Sequence, residues 1–266
     1  MDESERRSRT ARLFIHFKNG IGQGHHSFVY LAPLSLEGGE GAQRAVAAKV
    51  AIGTCDELES LRNEASMYTS FPEELMTGTS EKPAVVPKFY GLYMPLDPEH
   101  QVNKHRRTCR ALSSGIKCTD EIDGPILLAE ACGVPLSEFG DAEYLKGTLH
   151  GLMERFHDAG FLHGAVYARN ILMQPGPLQV PPEHRNYATP AFRLIDFGRT
   201  VEHSHSSKAS LDQEQVELSL ELEDPRRQHL DTPTSLWKQE KLRLERVVAI
   251  IKLGLLEKHL VREGLF

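Results

Sequence analysis

The sequence predicts an α+β chain in two lobes: a β-rich first half with one main helix, and a shortened helical second half. Three observations predict it. Short apolar, β-favouring runs bounded by Gly and Pro recur up to Gly133. One clear helical period, Asp56 to Ser70, interrupts them. Beyond Gly133, stripes of Leu, Val and Ile at helical spacing dominate.

At 266 residues the chain is long enough for a large core, as one domain or as two lobes. The formal charge of −6 gives no whole-chain basic footprint, so nucleic acid is not an expected partner. Met1 to Arg12 is polar and lacks the apolar centre of a secretory signal. No apolar run approaches a membrane span. Cys55, Cys109, Cys118 and Cys132 show no C-x-x-C spacing, so a reduced intracellular protein, cytoplasmic or nuclear, is expected.

Residues 1–11 are charged and expected to be a disordered N-terminus. Leu13 to Phe17 reads as a short strand, and Ile21 to Tyr30 as a glycine-bearing turn running into a second strand from Phe28. Gly22 and Gly24 suit either a plain hairpin or close approach of backbone to a phosphate. Ala45 to Ile52 reads as a strand buried on both faces with one charge inside it. That charge, Lys49, must meet an anion or snorkel outward. On the helix that follows, Leu58, Leu61, Ala65 and Tyr68 share a face, and Glu64 falls beside it.

Lys88 to Tyr93 is the next strand, and residues 95–123 form a polar insertion with a basic patch at Lys104 to Arg107 and at Arg110. Ile126 to Gly133 is a strand that closes the first lobe, placing the lobes at 12–132 and 133–266. Leu145, Leu149, Leu152 and Phe156 make a helical stripe ended by Ala159-Gly160. A Pro-rich insertion at 174–190, with five prolines from Pro175 to Pro190, is expected to hold no regular element. Phe192 to Gly198 is a strand ending in Asp and Gly. Residues 199–212 read as a polar loop, and Leu244, Val247, Val248, Ile251 and Leu255 as a packing helix.

Taken in order, these pieces are a Gly-x-Gly turn, a strand Lys, a helix Glu, a strand-end Glu, a His-led loop ending in Asn, and Ile195-Asp196-Phe197-Gly198. Over about residues 12–200 the series resembles the protein-kinase superfamily. The loop His163-Gly164-x4-Arg169-Asn170-Ile171-Leu172, the Pro-rich insertion and the short tail are similar to kinase-like proteins of filamentous and mushroom-forming fungi. The resemblance implies a bilobal kinase-like fold and the cofactors ATP and Mg2+. Gly22, Gly24, Ser27 and Val29 would cover the ATP phosphates, and Lys49, held by Glu64, would bind the α- and β-phosphates. Glu130 and Cys132 would face adenine beside the small Ala129. Asn170 and Asp196 would hold the metal.

The departure lies inside the loop. Ala165 stands where the family carries its catalytic Asp, Gly164 replaces the usual Arg, and Tyr167 replaces the usual Lys. An alanine methyl accepts no proton. A positioned base contributes about 10²–10⁴-fold, or roughly 3–5 kcal/mol of barrier. From a kinase turnover of about 1–100 s⁻¹, something between about 10⁻⁴ and 1 s⁻¹ would remain. Arg169 is a candidate stand-in for the missing Lys charge, with a structural role as the alternative. No Ala-Pro-Glu follows Gly198. The sequence thus leaves three readings: a Mg-ATP-binding pseudokinase, a slow phosphotransferase, and a non-nucleotide-binding interaction module. A protein partner through the second lobe or the 95–123 insertion fits the first and the third.

Overall fold

The computed structural model describes residues 11–24, 27–36, 43–51, 55–79, 81–94, 125–138, 143–203, 208–223 and 261–262. The 95–123 insertion with its basic patch, the 244–255 helix and most of the N-terminal stretch lie outside them. The chain divides into two compact units, Met1–Arg62 with Tyr90–Ala129 and Thr232–Phe266, and Asn63–Phe89 with Glu130–Asp231.

The first unit holds a seven-stranded sheet. Its strands are β1 (Ala11–Leu13), β2 (Gly20–Gln23), β3 (Ser27–Leu36), β4 (Gln43–Ala51), β5 (Phe89–Met94), β6 (Ile126–Glu130) and β12 (Val261–Arg262). They run in the order β1-β3-β4-β6-β5-β12, with β2 paired to β3. Ala32, Val46, Ala48 and Leu128 are buried together, and Leu13, Ile15, Leu34, Tyr90, Tyr93 and Ile126 pack on them. Alternation along β3 turns Phe28, Tyr30 and Ala32 inward, the period-two signature of a strand with one covered face.

Two expectations need correction here. Strand β4 is not buried on both faces. Val46 and Ala48 are inaccessible, whereas Ala45 is exposed and Ala47 half-buried, because small residues look apolar on either face of a strand. The first strand ends at Leu13, before Phe14. The side chain of His16 accepts the Lys18 N–H at 3.1 Å and bends the chain into a 3-10 turn at Phe17–Asn19.

The helix α1 (Cys55–Ser70) buries Leu61, Ala65 and Tyr68 together with Glu57 and Glu64, and is followed by the short α2 (Glu73–Met76). Leu58 is only half-buried. The second unit adds β7 (Val134–Pro135), α3 (Lys146–Asp158), β8 (Phe161–Leu162), β9 (Ile171–Gly176), β10 (Asn186–Leu194), β11 (Val201–Glu202) and α4 (Lys208–Glu223). Helix α3 buries Leu149, Leu152, Met153 and Phe156, as its stripe predicts. It stops where Gly160 takes φ +90°, the left-handed turn that ends many helices. Strands β7, β9 and β10 form one small sheet, β8 and β11 another.

The Pro-rich stretch is more regular than expected. Strands β9 and β10 pair across it, with a register shift between Asn186 and Ala191. Pro175 and Pro190 lie in the bulged part of that hairpin, where strands tolerate a missing N–H. The polar loop expected at 199–212 is also partly regular: β11 occupies Val201–Glu202 and α4 starts at Lys208. Helix α4 escaped the apolar pattern because its buried face is Glu214, Leu218, Glu221 and Leu222, while Val216 and Leu220 face outward.

Candidate functional site

The second unit builds the site around a loop. His163 is 1% exposed, and its Nε2 lies 3.0 Å from the carbonyl of Ile195. Gly164 takes φ +69°, and a Cβ there would sit 2.5 Å from the carbonyl oxygen of Arg199, so only glycine fits. Thr200 donates its hydroxyl to the His163 carbonyl at 3.2 Å. Asn170, also buried, donates from Nδ2 to the Ala165 carbonyl at 3.0 Å. Ile195 N–H donates to the Asn170 carbonyl at 2.9 Å, which ties the loop to the chain just before Asp196.

The loop hangs from two carboxylates of α4. Glu214 accepts the N–H of Gly164 at 2.6 Å and of His163 at 3.0 Å, and pairs with His157 Nε2 at 2.9 Å. Glu221 accepts the N–H of Ala168 at 3.0 Å. Burial alone would raise the Glu214 carboxyl, but the bonds from His157, Gly164 and His163 outweigh it and hold the group below its ordinary value. Burial lowers His163, against the opposing pull of Glu214, so the ring is held neutral.

Asp196 is exposed and adopts φ 68° and ψ 65°, the one left-handed non-glycine residue among those described. Phe197, directly after it, is wholly buried against Tyr68, Phe71, Phe156 and His163, with ring centroids 4.8–5.9 Å apart. Packing of that ring fixes the chain at Asp196.

Tyr68 stands at the centre of several residues singled out from the sequence. Burial raises its hydroxyl well above the ordinary value, and Glu64, Cys132, Asp196 and Glu130 add to the effect in that order. Glu64 is itself buried on α1. Glu130 ends β6. Its N–H donates to the Lys88 carbonyl at 2.8 Å, and its Oε2 accepts the Lys88 N–H at 3.2 Å. The buried Cys132 thiol, raised by burial and by Glu130, donates to the Glu130 carbonyl at 3.4 Å, a weak bond that leaves lone-pair capacity on that oxygen.

The remaining residues lie in the first unit, three of them in one row. Gly22 pairs with Val29, and Val29 pairs with Lys49, across β2, β3 and β4. Cross-strand partners share a face, so Val29 and Lys49 lie on the face opposite the buried Phe28 and Tyr30. Ser27 is buried, and its carbonyl accepts the N–H of Gly24 at 2.8 Å. Among the described residues, a Cβ at Gly22 or Gly24 would meet only ordinary contacts, at 3.6 Å or more. Neither glycine is demanded by packing or by a positive φ.

Arg169 is stacked on the ring of Tyr167, with its guanidinium carbon 4.1 Å from the centroid. Sequence reasoning missed Glu214 and Glu221, because acids on a helix face ordinarily mark its solvent side. Their spacing with Leu218 and Leu222 is the one signal that could have found them.

In class the chain is α+β, with the seven-stranded sheet in one unit and most of the helix, beside two small sheets, in the other. No family model matches the chain, and no curated protein matches it. Among solved structures, a crystal structure described as the PF14_0431 kinase domain is similar at a TM-score of 0.46 and 14% identity. The match covers 74% of this chain and 53% of that one, so the chain spans about half the length of the kinase domain it matches.

Proposed function

We propose that the chain binds Mg-ATP and acts as a pseudokinase, a nucleotide-responsive scaffold whose phosphate transfer is crippled at Ala165. The observation that carries this reading is Asp196. A left-handed Asp costs on the order of 1–3 kcal/mol, and such strain persists where packing holds a residue for use. Asn170 supports it. With Nδ2 given to the Ala165 carbonyl, its Oδ1 is the atom left for a cation. Two oxygen donors of this kind suit magnesium. That ion takes one or two protein ligands and completes its shell with water and phosphate oxygens.

Gly22 and Gly24 point the same way. Their hairpin would accept alanine at either position, so a ligand passing close to the backbone is a better reason for glycine than the turn. Lys49, in register with Gly22 through Val29, would supply the cation for the phosphates. Bound magnesium would neutralise phosphate charge. The residues of this chain would bind and orient the nucleotide, but no carboxylate between His163 and Asn170 is present to take a hydroxyl proton.

Millimolar Mg-ATP should raise the melting temperature of the wild type, and Lys49→Met should abolish the shift. Absence of any shift in the wild type would sink the proposal and favour an interaction module that binds no nucleotide. The slow phosphotransferase is supported by the near-complete phosphate and metal set. It requires label transfer that disappears in both Lys49→Met and Asp196→Ala.

A further inference from the structure

We propose that the second unit carries another ligand site, a cleft between α3 and the β9–β10 hairpin that takes a small organic monocarboxylate with an aromatic or branched apolar body. The cleft measures about 840 Å³. Small-molecule sites run to roughly 300–1,000 Å³, largely apolar with a few placed polar groups. Leu152, Leu178 and Phe192 supply apolar wall, and among the described residues Arg155 and Arg193 supply the only charges in the lining. None of the residues assigned above to nucleotide or metal lines it.

The two guanidiniums indicate an anion. Arg193 is 4% exposed. It donates from Nη1 to the carbonyls of Ala84 and Phe192, at 3.0 and 2.8 Å. Its Nε makes no hydrogen bond, and the Glu130 carboxylate, at 3.8 Å, answers its charge only in part. Arg155 is half-buried on α3 and has no side-chain hydrogen bond or ion pair among the described residues. Burial, and then Arg193, make its charged state less favourable. A carboxylate between them would relieve both effects, and a guanidinium fork matches its two oxygens.

The cleft is braced before any ligand arrives. Arg185 donates to the carbonyls of Val180 and Leu178 at 2.8 and 3.0 Å, and Gln179 donates to the Thr79 carbonyl at 3.2 Å. Arg193 is buried and Arg155 half-buried, while the exposed lining residues, Tyr144 and Tyr187 among them, are neutral. That arrangement suits a small molecule entering a pocket better than a polypeptide lying across a charged rim. Gly151 also lines the cleft, and a Cβ there would meet nothing within 4 Å. A side chain at 151 therefore projects into space that a ligand would need.

Titration calorimetry on the full chain with biphenyl-4-carboxylate, and with its neutral primary amide, tests the assignment. The acid should bind at least tenfold more tightly than the amide. Arg155→Met should remove that preference. Gly151→Trp should abolish binding of both without lowering the melting temperature, because a helix gains from losing glycine. Equal binding of acid and amide, or acid binding that survives Gly151→Trp, would overturn the proposal. So would an acidic, leucine-bearing peptide that binds where the small acid does not, which would give the cleft to a protein partner. A dimer dissociated by Gly151→Trp would overturn it in favour of a second copy of this chain. Mg-ATP shifts in the same variants report separately on the nucleotide reading.

Discussion

Glu214 takes the N–H of Gly164 at 2.6 Å and holds the N–H of His163 with its other oxygen, so one α4 side chain carries the start of the loop. Removing it leaves one buried donor, one part-buried donor and His157 without their acceptor. At about 1–3 kcal/mol per orphaned group, Glu214→Ala should cost on the order of 3–5 kcal/mol in denaturant unfolding. Glu214→Gln keeps one acceptor and should cost about 1–2 kcal/mol. A Glu214→Ala variant as stable as the wild type would show that the loop stands without α4.

Acid should weaken the fold in two stages. His163 is held below its ordinary 6.5, so as pH falls past that value the unfolded chain gains a proton that the folded chain refuses. Stability then declines through the window between 6.5 and the lower folded value. Glu214 is held below its ordinary 4.5, so its contribution is complete above that value and is lost as pH falls through the folded one. Unfolding free energy measured from pH 8 to pH 3 should therefore decline throughout. His163→Phe should flatten the first stage and Glu214→Gln the second. A wild type that gained stability on acidification would contradict both assignments.

Gly164 is not a free position. Its φ of +69° and the Arg199 carbonyl 2.5 Å from any Cβ mean that Gly164→Ala should cost at least about 1–3 kcal/mol in thermal or denaturant unfolding. Gly164→Arg, the change toward the usual kinase residue, meets the same obstacle, so its melting temperature should fall below the wild type. A melting temperature unchanged in both variants would mean that the loop readily adopts another path.

Phe197 is a test of what holds Asp196. Its ring is inaccessible among Tyr68, Phe71, Phe156 and His163, so Phe197→Ala should cost about 3–5 kcal/mol. Phe197→Leu should keep most of the stability yet weaken the Mg-ATP shift, because the backbone at Asp196 is then less firmly placed. If Phe197→Leu lost stability but kept the full shift, the ring would have no part in positioning Asp196.

Much of this was readable because periodicity and punctuation agreed. The α3 stripe from Leu149 to Phe156 and its stop at Gly160 are written in side-chain size and backbone freedom. Strand β4 was readable as a strand but not by face, since Ala45, Ala47 and Ala48 differ only in where the sheet puts them. Helix α4 was hidden for a different reason. Glu214 and Glu221 are buried because they satisfy backbone donors of a loop some fifty residues upstream, with separations of 50, 51 and 53 residues. Tertiary hydrogen bonding reverses their ordinary preference for water, and a local window cannot see its cause. The stacking of Arg169 on Tyr167 escaped for a related reason, since the 3-10 turn at Ala168–Asn170 that brings them together has no apolar period.

The missing base can be tested by restoring it. The bonds that hold the loop at residue 165 come from the carbonyl of Ala165, which accepts Asn170 Nδ2 and the Tyr167 N–H, both at 3.0 Å. A side-chain change there leaves those bonds in place. With Gly164 retained, Ala165→Asp should raise ATP-dependent phosphate transfer about 10²–10⁴-fold while leaving Mg-ATP affinity unchanged. Tyr167→Lys added to it should raise the rate further. It supplies the cation usual at that position and frees Arg169 from the ring it now covers. Transfer measured with labelled ATP, alongside the thermal shift, separates the possibilities. If the shift is intact and neither variant transfers phosphate, the defect lies in substrate positioning beyond the loop, and the protein is a nucleotide-binding scaffold for reasons other than Ala165.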